Sequence, residues 1–423
     1  MERRVVITGM GVVAPSACSL AGFEAGLREG RSGIRYQPEL EALQFSCRIA
    51  GKPELNEALT GRYFDPLELR GLSSTGIQYG VIAGMQAWED AGLPLNSGTP
   101  DWDSGTIFGN GNSSVEKFRE AIYKIDEGQV RRLGSTSVPQ TMVSGISAYL
   151  GGKLCLGNQV STNASACTTG TESLLLCYER IKNGKAERML SGSTSDSGPY
   201  IWAGFDALKV CTYKHNDNPE QGSRPMSASA AGFVPGSGAG ALVLESLESA
   251  KKRGANIYAE VCGGHINSGG QSGEGSMTAP NPDAVQRCIS RALADAGIAA
   301  SAVDAINGHL TATTRDALEI HNWCIALGRK GKDFPPIGAL KSHIGHCLSA
   351  SGSIECVAAV LQLQKGFLFP NLNCEDLHPG ITEWIDASCV PQQMEERPLK
   401  VVAKASFGFG DVNACVLLRQ FNN

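Results

Sequence analysis

Apolar positions along this chain fall into two alternating rhythms. Short apolar runs at Arg4 to Ile7, Ala241 to Leu244, Ile257 to Val261 and Cys415 to Leu418 predict buried strands. Between them, apolar residues recur at helical spacing over Gly76 to Ala91, Ser114 to Ile125, Asp283 to Ala296 and Thr314 to Leu327. Strands alternating with helices, with glycines clustered at strand ends, predict an α/β architecture of buried sheets covered by helices.

The pattern also repeats. The helix bounded by Gly170 and Gly184 has the length and apolar phasing of the helix bounded by Gly352 and Gly366. Phe233-Val-Pro-Gly236 followed by the strand Ala241 to Leu244 parallels Phe407-Gly-Phe-Gly410 followed by Cys415 to Leu418. A helix, then a glycine-rich turn and a strand, closes each half, so a duplicated fold is expected, with a seam near residues 246 to 257. The halves would be residues 1–250 and 251–423, related by a pseudo-twofold axis. Gly236-x-Gly238-x-Gly240 opens a strand and not a helix, which favours a tight turn over a nucleotide cradle.

Composition narrows the class. With 423 residues, 42% of them hydrophobic, the chain can bury one large core or two fused ones. A net charge of −5 argues against a nucleic-acid binder while leaving room for a local basic patch that receives an acidic partner. No C-x-x-C pair, signal-like segment or membrane-length apolar run is present, and the first strand begins almost at Met1. Fourteen cysteines without such signals point to a reducing cytoplasm.

One cysteine stands apart. Cys167 follows Asn163-Ala-Ser-Ala166 and precedes Thr168-Thr-Gly-Thr-Glu-Ser173, at the first turn of an expected helix, where unpaired N–H groups favour a thiolate and lower its pKa. Cys177 and Cys356 lie in apolar stretches and read as small buried hydrophobes. Two histidine loops complement the thiol. His309 stands at a strand end in Ile306-Asn-Gly-His-Leu-Thr-Ala-Thr313, before a helix carrying Asp316 and Glu319; His346 closes Lys341-Ser-His-Ile-Gly-His346. A metal set of His343, His346 and Cys347 is a weaker reading, because no carboxylate or second pair follows at a convincing spacing. No metal is expected.

Together these residues resemble the β-ketoacyl-acyl carrier protein synthases, the elongating condensing enzymes of the thiolase superfamily. The likeness runs nearly end to end, through Arg4 to Val13, the segment around Cys167, Ser223-Arg-Pro225, Gly232 to Gly240, both histidine loops and Ser406 to Gly410. It implies a duplicated five-layer αβαβα fold and a homodimer, or a heterodimer with a paralogue. It also implies a Cys167, His309, His346 active site supported by the charged pair Lys341 and Glu319. Thr278, Thr311 and Thr313 resemble the threonines that hold the phosphopantetheine arm of acyl carrier protein, and Phe409 resembles a gate over the acyl pocket. The implied reaction joins an acyl group on Cys167 to malonyl-acyl carrier protein with loss of carboxyl, without a cofactor beyond the carrier's arm.

Several positions depart from that pattern. Leu310 replaces a usual glycine after His309, and the stretch to Asp316 is one residue shorter; Asp411 replaces another glycine and Ala405 an asparagine. Leu310 is therefore expected to face the gate and bias the acyl chain, and the pathway is open between fatty-acid elongation and a polyene or polyketide product. Three alternatives stand beside the synthase. A thiolase would need a second cysteine, for which Cys415 is the candidate; a chain-length-factor-like subunit would lack the nucleophile; a standalone decarboxylase would not use it. For carrier docking, Lys209, Lys214 and Arg224, or else Arg131 and Arg132, form the candidate basic patch.

Overall fold

The structure, a computed structural model, describes residues 3–95 and 98–421. Its main sheet has ten strands: β1 (Val5–Val13), β2 (Ser104–Asn110), β3 (Val160–Ser161), β4 (Arg188–Ser195), β5 (Gly238–Ser246), β6 (Ala259–Ser268), β7 (Ala305–Asn307), β8 (Ile337–Gly338), β9 (Val401–Gly408) and β10 (Val412–Gln420). They run in the order β8-β7-β9-β10-β6-β1-β5-β4-β2-β3. From β1 outward the pairings are antiparallel to β5 and on to β4, then parallel to β2 and β3. From β6 outward they are antiparallel to β10 and on to β9, then parallel to β7 and β8. The two five-strand sets thus share one connectivity, and they meet where β1 lies antiparallel to β6, Val5 opposite Val261.

Helices complete five layers. α1 (Thr75–Asp90) and α2 (Gly145–Leu154) cover the outer face of the first set, around Ile82, Trp88, Phe108 and Ile146. α3 (Thr169–Lys182) lies inside with a partner from the second half. α4 (Pro282–Ala296) and α5 (Asp316–Leu327) cover the outer face of the second set around Ile289, Ile320 and Trp323. α6 (Ser351–Lys365) packs against α3 in the middle. The ends follow local chemistry: the side chain of Ser74 accepts the Ile77 N–H to start α1, Asn281 caps α4, and Gly366 ends α6 in the left-handed region at φ +65°.

The central crossing is unusually close. A Cβ on Gly170 would lie 2.2 Å from the backbone nitrogen of Ser353, and one on Gly352 2.6 Å from that of Thr171, so only glycine lets the two helices meet here. Each helix is entered through a 3-10 turn, Ala166–Thr168 or Leu348–Ala350, whose first residue takes a left-handed φ of +49° or +50°. The repeat is less regular elsewhere. β9, with Phe407 near its end, turns directly into β10, whereas β4 and β5 are joined by residues 196–237, which contain the helix Pro199–Ala207 and Phe233. Strands β2 and β4 escaped the apolar pattern because they are built largely of glycine, serine and threonine, yet both are almost wholly buried.

Candidate active site

Cys167 is the middle residue of the Ala166–Thr168 turn. The turn is braced locally: the Thr169 hydroxyl donates to the Ala166 carbonyl at 2.6 Å and accepts the Ser165 N–H at 2.9 Å, while Asn163 donates to the Thr169 carbonyl at 2.9 Å. Gly408 passes overhead. A Cβ there would come within 3.1 Å of the Cys167 nitrogen, and its absence brings the Phe409 backbone beside the thiol. The N–H groups of Phe409 and Cys167 and the ammonium of Lys341 favour the thiolate, but burial outweighs them and pushes the thiol up to about 11. The lowered pKa expected from the helix start is therefore not found; Cys167 sits too deep for the helix terminus to prevail.

Both histidines reach the sulfur's side of the cavity. His346 Nε2 is 3.1 Å from Cys167 Sγ. Its Nδ1 accepts the Leu348 N–H at 3.1 Å and lies 3.0 Å from the Ser351 hydroxyl, so the neutral ring carries its hydrogen on Nε2. The His309 ring stands edge-on to it, with centroids 5.5 Å apart, and one ligand atom each of Cys167, His309 and His346 lies within 4.8 Å of the others. Lys341 Nζ donates to the His309 carbonyl at 2.6 Å and faces Nδ1 at 3.5 Å, which leaves the Nε2 hydrogen for the cavity. Burial, reinforced by Lys341 and Lys404, holds both imidazoles well below the ordinary histidine range.

The pairing of Lys341 with Glu319 needs correction. Lys341 forms its ion pair with Glu355 of α6, whose second oxygen is 2.9 Å from Lys404 of β9. Glu319 instead accepts the backbone N–H groups of His309 at 2.7 Å and Leu310 at 2.8 Å, fixing the His309 loop, while burial raises its own pKa to about 7. Asp316 holds the rest of that loop through the N–H groups of Thr311 and Ala312. Glu355 and Lys404 were missed in the sequence. The available signal was a charge set in each of two otherwise apolar segments, Ile354 to Leu361 and Val401 to Ala405.

These groups open onto a cavity of about 260 Å³. Thr278, Thr311 and Thr313 line it, as do Phe409, Phe205 and Phe233. Leu310 does not line it. It is fully buried at φ +23° among Ile320, Trp323 and their neighbours, so it belongs to the core between β7 and α5 and not to a gate. Asp411, also buried, accepts the N–H groups of Gln271 at 3.0 Å and Asn281 at 2.8 Å, tying the loop that carries Thr278 to the turn after Phe409.

Around the mouth the basic residues divide. Arg224 is buried against Glu375 at 2.6 Å and Asp376 at 3.2 Å, which removes it from the candidate docking patch. Lys209, adjacent to Val210 of the cavity wall, and Lys214, four residues beyond Val210 on the same segment, are exposed, and the exposed Arg315, which sequence reading overlooked, lines the cavity itself. Arg131 and Arg132 are exposed but lie away from the cavity lining. Cys415 is buried in β10 opposite Ala405 with its thiol pushed up to about 12, outside the cavity. His343 donates to or accepts from nothing in the cavity; its Nε2 meets the Pro370 carbonyl at 2.7 Å, so it does not converge with His346 and Cys347.

Comparisons with known proteins agree along the whole chain. Residues 2–250 match the beta-ketoacyl synthase N-terminal domain and residues 258–375 the C-terminal domain. A 3-oxoacyl-[acyl-carrier-protein] synthase 2 of Rhizobium meliloti is 33% identical, covering 99% of both chains. Among solved structures, a beta-ketoacyl synthase from Burkholderia phymatum superposes with a TM-score of 0.90 at 30% identity, covering all of both chains. A type II polyketide ketosynthase, solved in complex with its acyl-carrier protein, gives 0.88 at 28% identity over the same extent. With domain matches over most of its length and a full-length relative at this identity, the chain belongs to the β-ketoacyl synthase family.

Proposed function

We propose that the protein is a 3-oxoacyl-[acyl-carrier-protein] synthase that condenses an acyl thioester with malonyl-acyl carrier protein. The observation that carries this reading is the convergence of Cys167, His346 and His309 at one end of a threonine-lined cavity. In the first half-reaction Cys167 sulfur attacks the acyl thioester carbonyl and the carrier thiol leaves, so the cysteine proton ends on the carrier. The Cys167 and Phe409 N–H groups face the oxyanion formed on the way. In the second, the malonyl thioester loses carbon dioxide. The Nε2–H groups of His309 and His346 donate to the enolate oxygen, the carbanion attacks the acyl-cysteine carbonyl, and Cys167 leaves as thiolate.

The thiol argues against the chain-length-factor-like subunit, and the remote Cys415 against a thiolase. The threonines suit an extended arm that carries two amides and a hydroxyl, and the partner is acyl carrier protein. A second copy of this chain, or a paralogue, as dimer partner is part of the same reading. To test it, the protein is incubated with acyl-carrier thioesters and then with malonyl carrier, with mass spectrometry of the Cys167 peptide. An acyl adduct that disappears as 3-oxoacyl product forms is expected, and neither should occur in Cys167→Ala. Product formed by that variant, or from acyl-CoA alone, overturns the reading.

A further inference from the structure

Strand β9 buries a lysine within an apolar run: Val401, Val402, Ala403 and Ala405 are buried and Lys404 is wholly so. A cation taken from water is costly unless an anion offsets it. Lys404 Nζ lies 2.9 Å from Glu355 Oε2 and 3.0 Å from the Ser406 hydroxyl, and it also donates to the Ala405 carbonyl. Glu355 is already paired, since its other oxygen holds Lys341, the residue that touches the His309 carbonyl. One acid and one base would close this pair. A third charge, fully buried, needs another reason.

We propose that Lys404 is a positioning residue for the condensation: by taking the second oxygen of Glu355 it leaves an excess positive charge behind His309 and His346 and keeps both rings neutral Nε2–H donors. This rests on the synthase reading above and adds to it the source of the field. The titratable groups facing the rings come from five elements: the Cys167 thiol on its turn, Asp316 and Glu319 on α5, Lys341 on the short helix Lys341–Ile344, Glu355 on α6 and Lys404 on β9. Burial raises the pKa of both Asp316 and Glu319, Glu319 to about 7, and each carboxyl is taken up by backbone N–H groups of the His309 loop, which offset its charge locally. Two ammonium groups against Glu355 therefore dominate, which opposes a proton on either imidazole and favours negative charge where the enolate oxygen forms.

The test uses Lys404→Gln, which removes the charge while keeping a group able to bond Ser406, and Lys404→Arg, which keeps the charge. Histidine ring carbons are followed by NMR across pH in each folded protein, alongside decarboxylation of malonyl carrier. In the Gln variant the proton affinity of both rings should rise by about tenfold, and kcat should fall with KM for the carrier unchanged. The Arg variant should titrate as the parent does. An unchanged titration in the Gln variant, whatever its rate, overturns the proposal. If that variant does not fold, Lys404→Met takes its place with the same reading: rings that gain proton affinity support the field, and an unchanged titration refutes it. A parent protein that titrates as described but does not condense would instead refute the synthase reading alone.

Discussion

A thiol pushed up to about 11 keeps its proton at neutral pH, so Cys167 rests as a neutral group and must give up its proton as it attacks, the proton ending on the carrier sulfur that leaves. His346 is not a base for it in this form, because the Leu348 N–H occupies Nδ1 and the ring's own hydrogen already points at the sulfur. Leu310 makes the complementary case of a residue without chemistry. Its side chain fills the core beside Ile320 and Trp323, so Leu310→Ala should lower stability by about 2–5 kcal/mol in chemical denaturation while leaving the rank order of acyl donors unchanged. A changed rank order would restore the gate expectation. That Cys167, His309 and His346 converge was legible in the sequence, because each is of a residue type suited to the proposed chemistry and stands in a glycine-flanked loop. The partner of Lys341 was not, since Glu319 and Glu355 are both within reach along the chain and only the packing of α6 against β9 selects the second.

Among the elements, the α3–α6 pair decides whether a site exists at all. Cys167 enters α3 and His346 precedes α6, so the distance between them is set where these helices cross. Gly170→Ala would drive a methyl toward the Ser353 nitrogen, with backbone and not a flexible side chain in its way. A loss of about 1–3 kcal/mol or more is expected, with acylation of Cys167 falling further than stability does, read by denaturation and by adduct formation in the same samples. Stability and acylation both at the level of the parent would show that the helices can part without cost. The glycines, the equal helix lengths and the paired strands β5 and β10 made the duplication readable in advance. β2, β4 and the 196–237 connection were not, because small polar residues in a fully buried strand leave no alternation to read.

For the molecule as a whole, net charge is negative, while the exposed Arg315 lines the cavity and the exposed Lys209 and Lys214 lie on the segment that carries Val210 of its wall. Reversing Lys209 and Lys214 to glutamate should slow association with acyl carrier protein and flatten its salt dependence, measured by stopped-flow binding. Turnover of a small carrier-free thioester should stay as it was. Equal kinetics for both substrates would remove this patch. Arg224 shows why such a patch cannot be drawn from sequence: its two acidic partners lie about 150 residues away along the chain. The two left-handed turns carry a different implication. In the frame of the repeat, Ala166 corresponds to Leu348 and Cys167 to Ser349, whose hydroxyl is spent on the Thr194 carbonyl at 2.7 Å. The molecule thus owns two copies of one bend, aims the Cys167 thiol with the first and hangs the His346 loop on the second, so a single geometric invention, doubled and then allowed to diverge, supplies both walls of the candidate site.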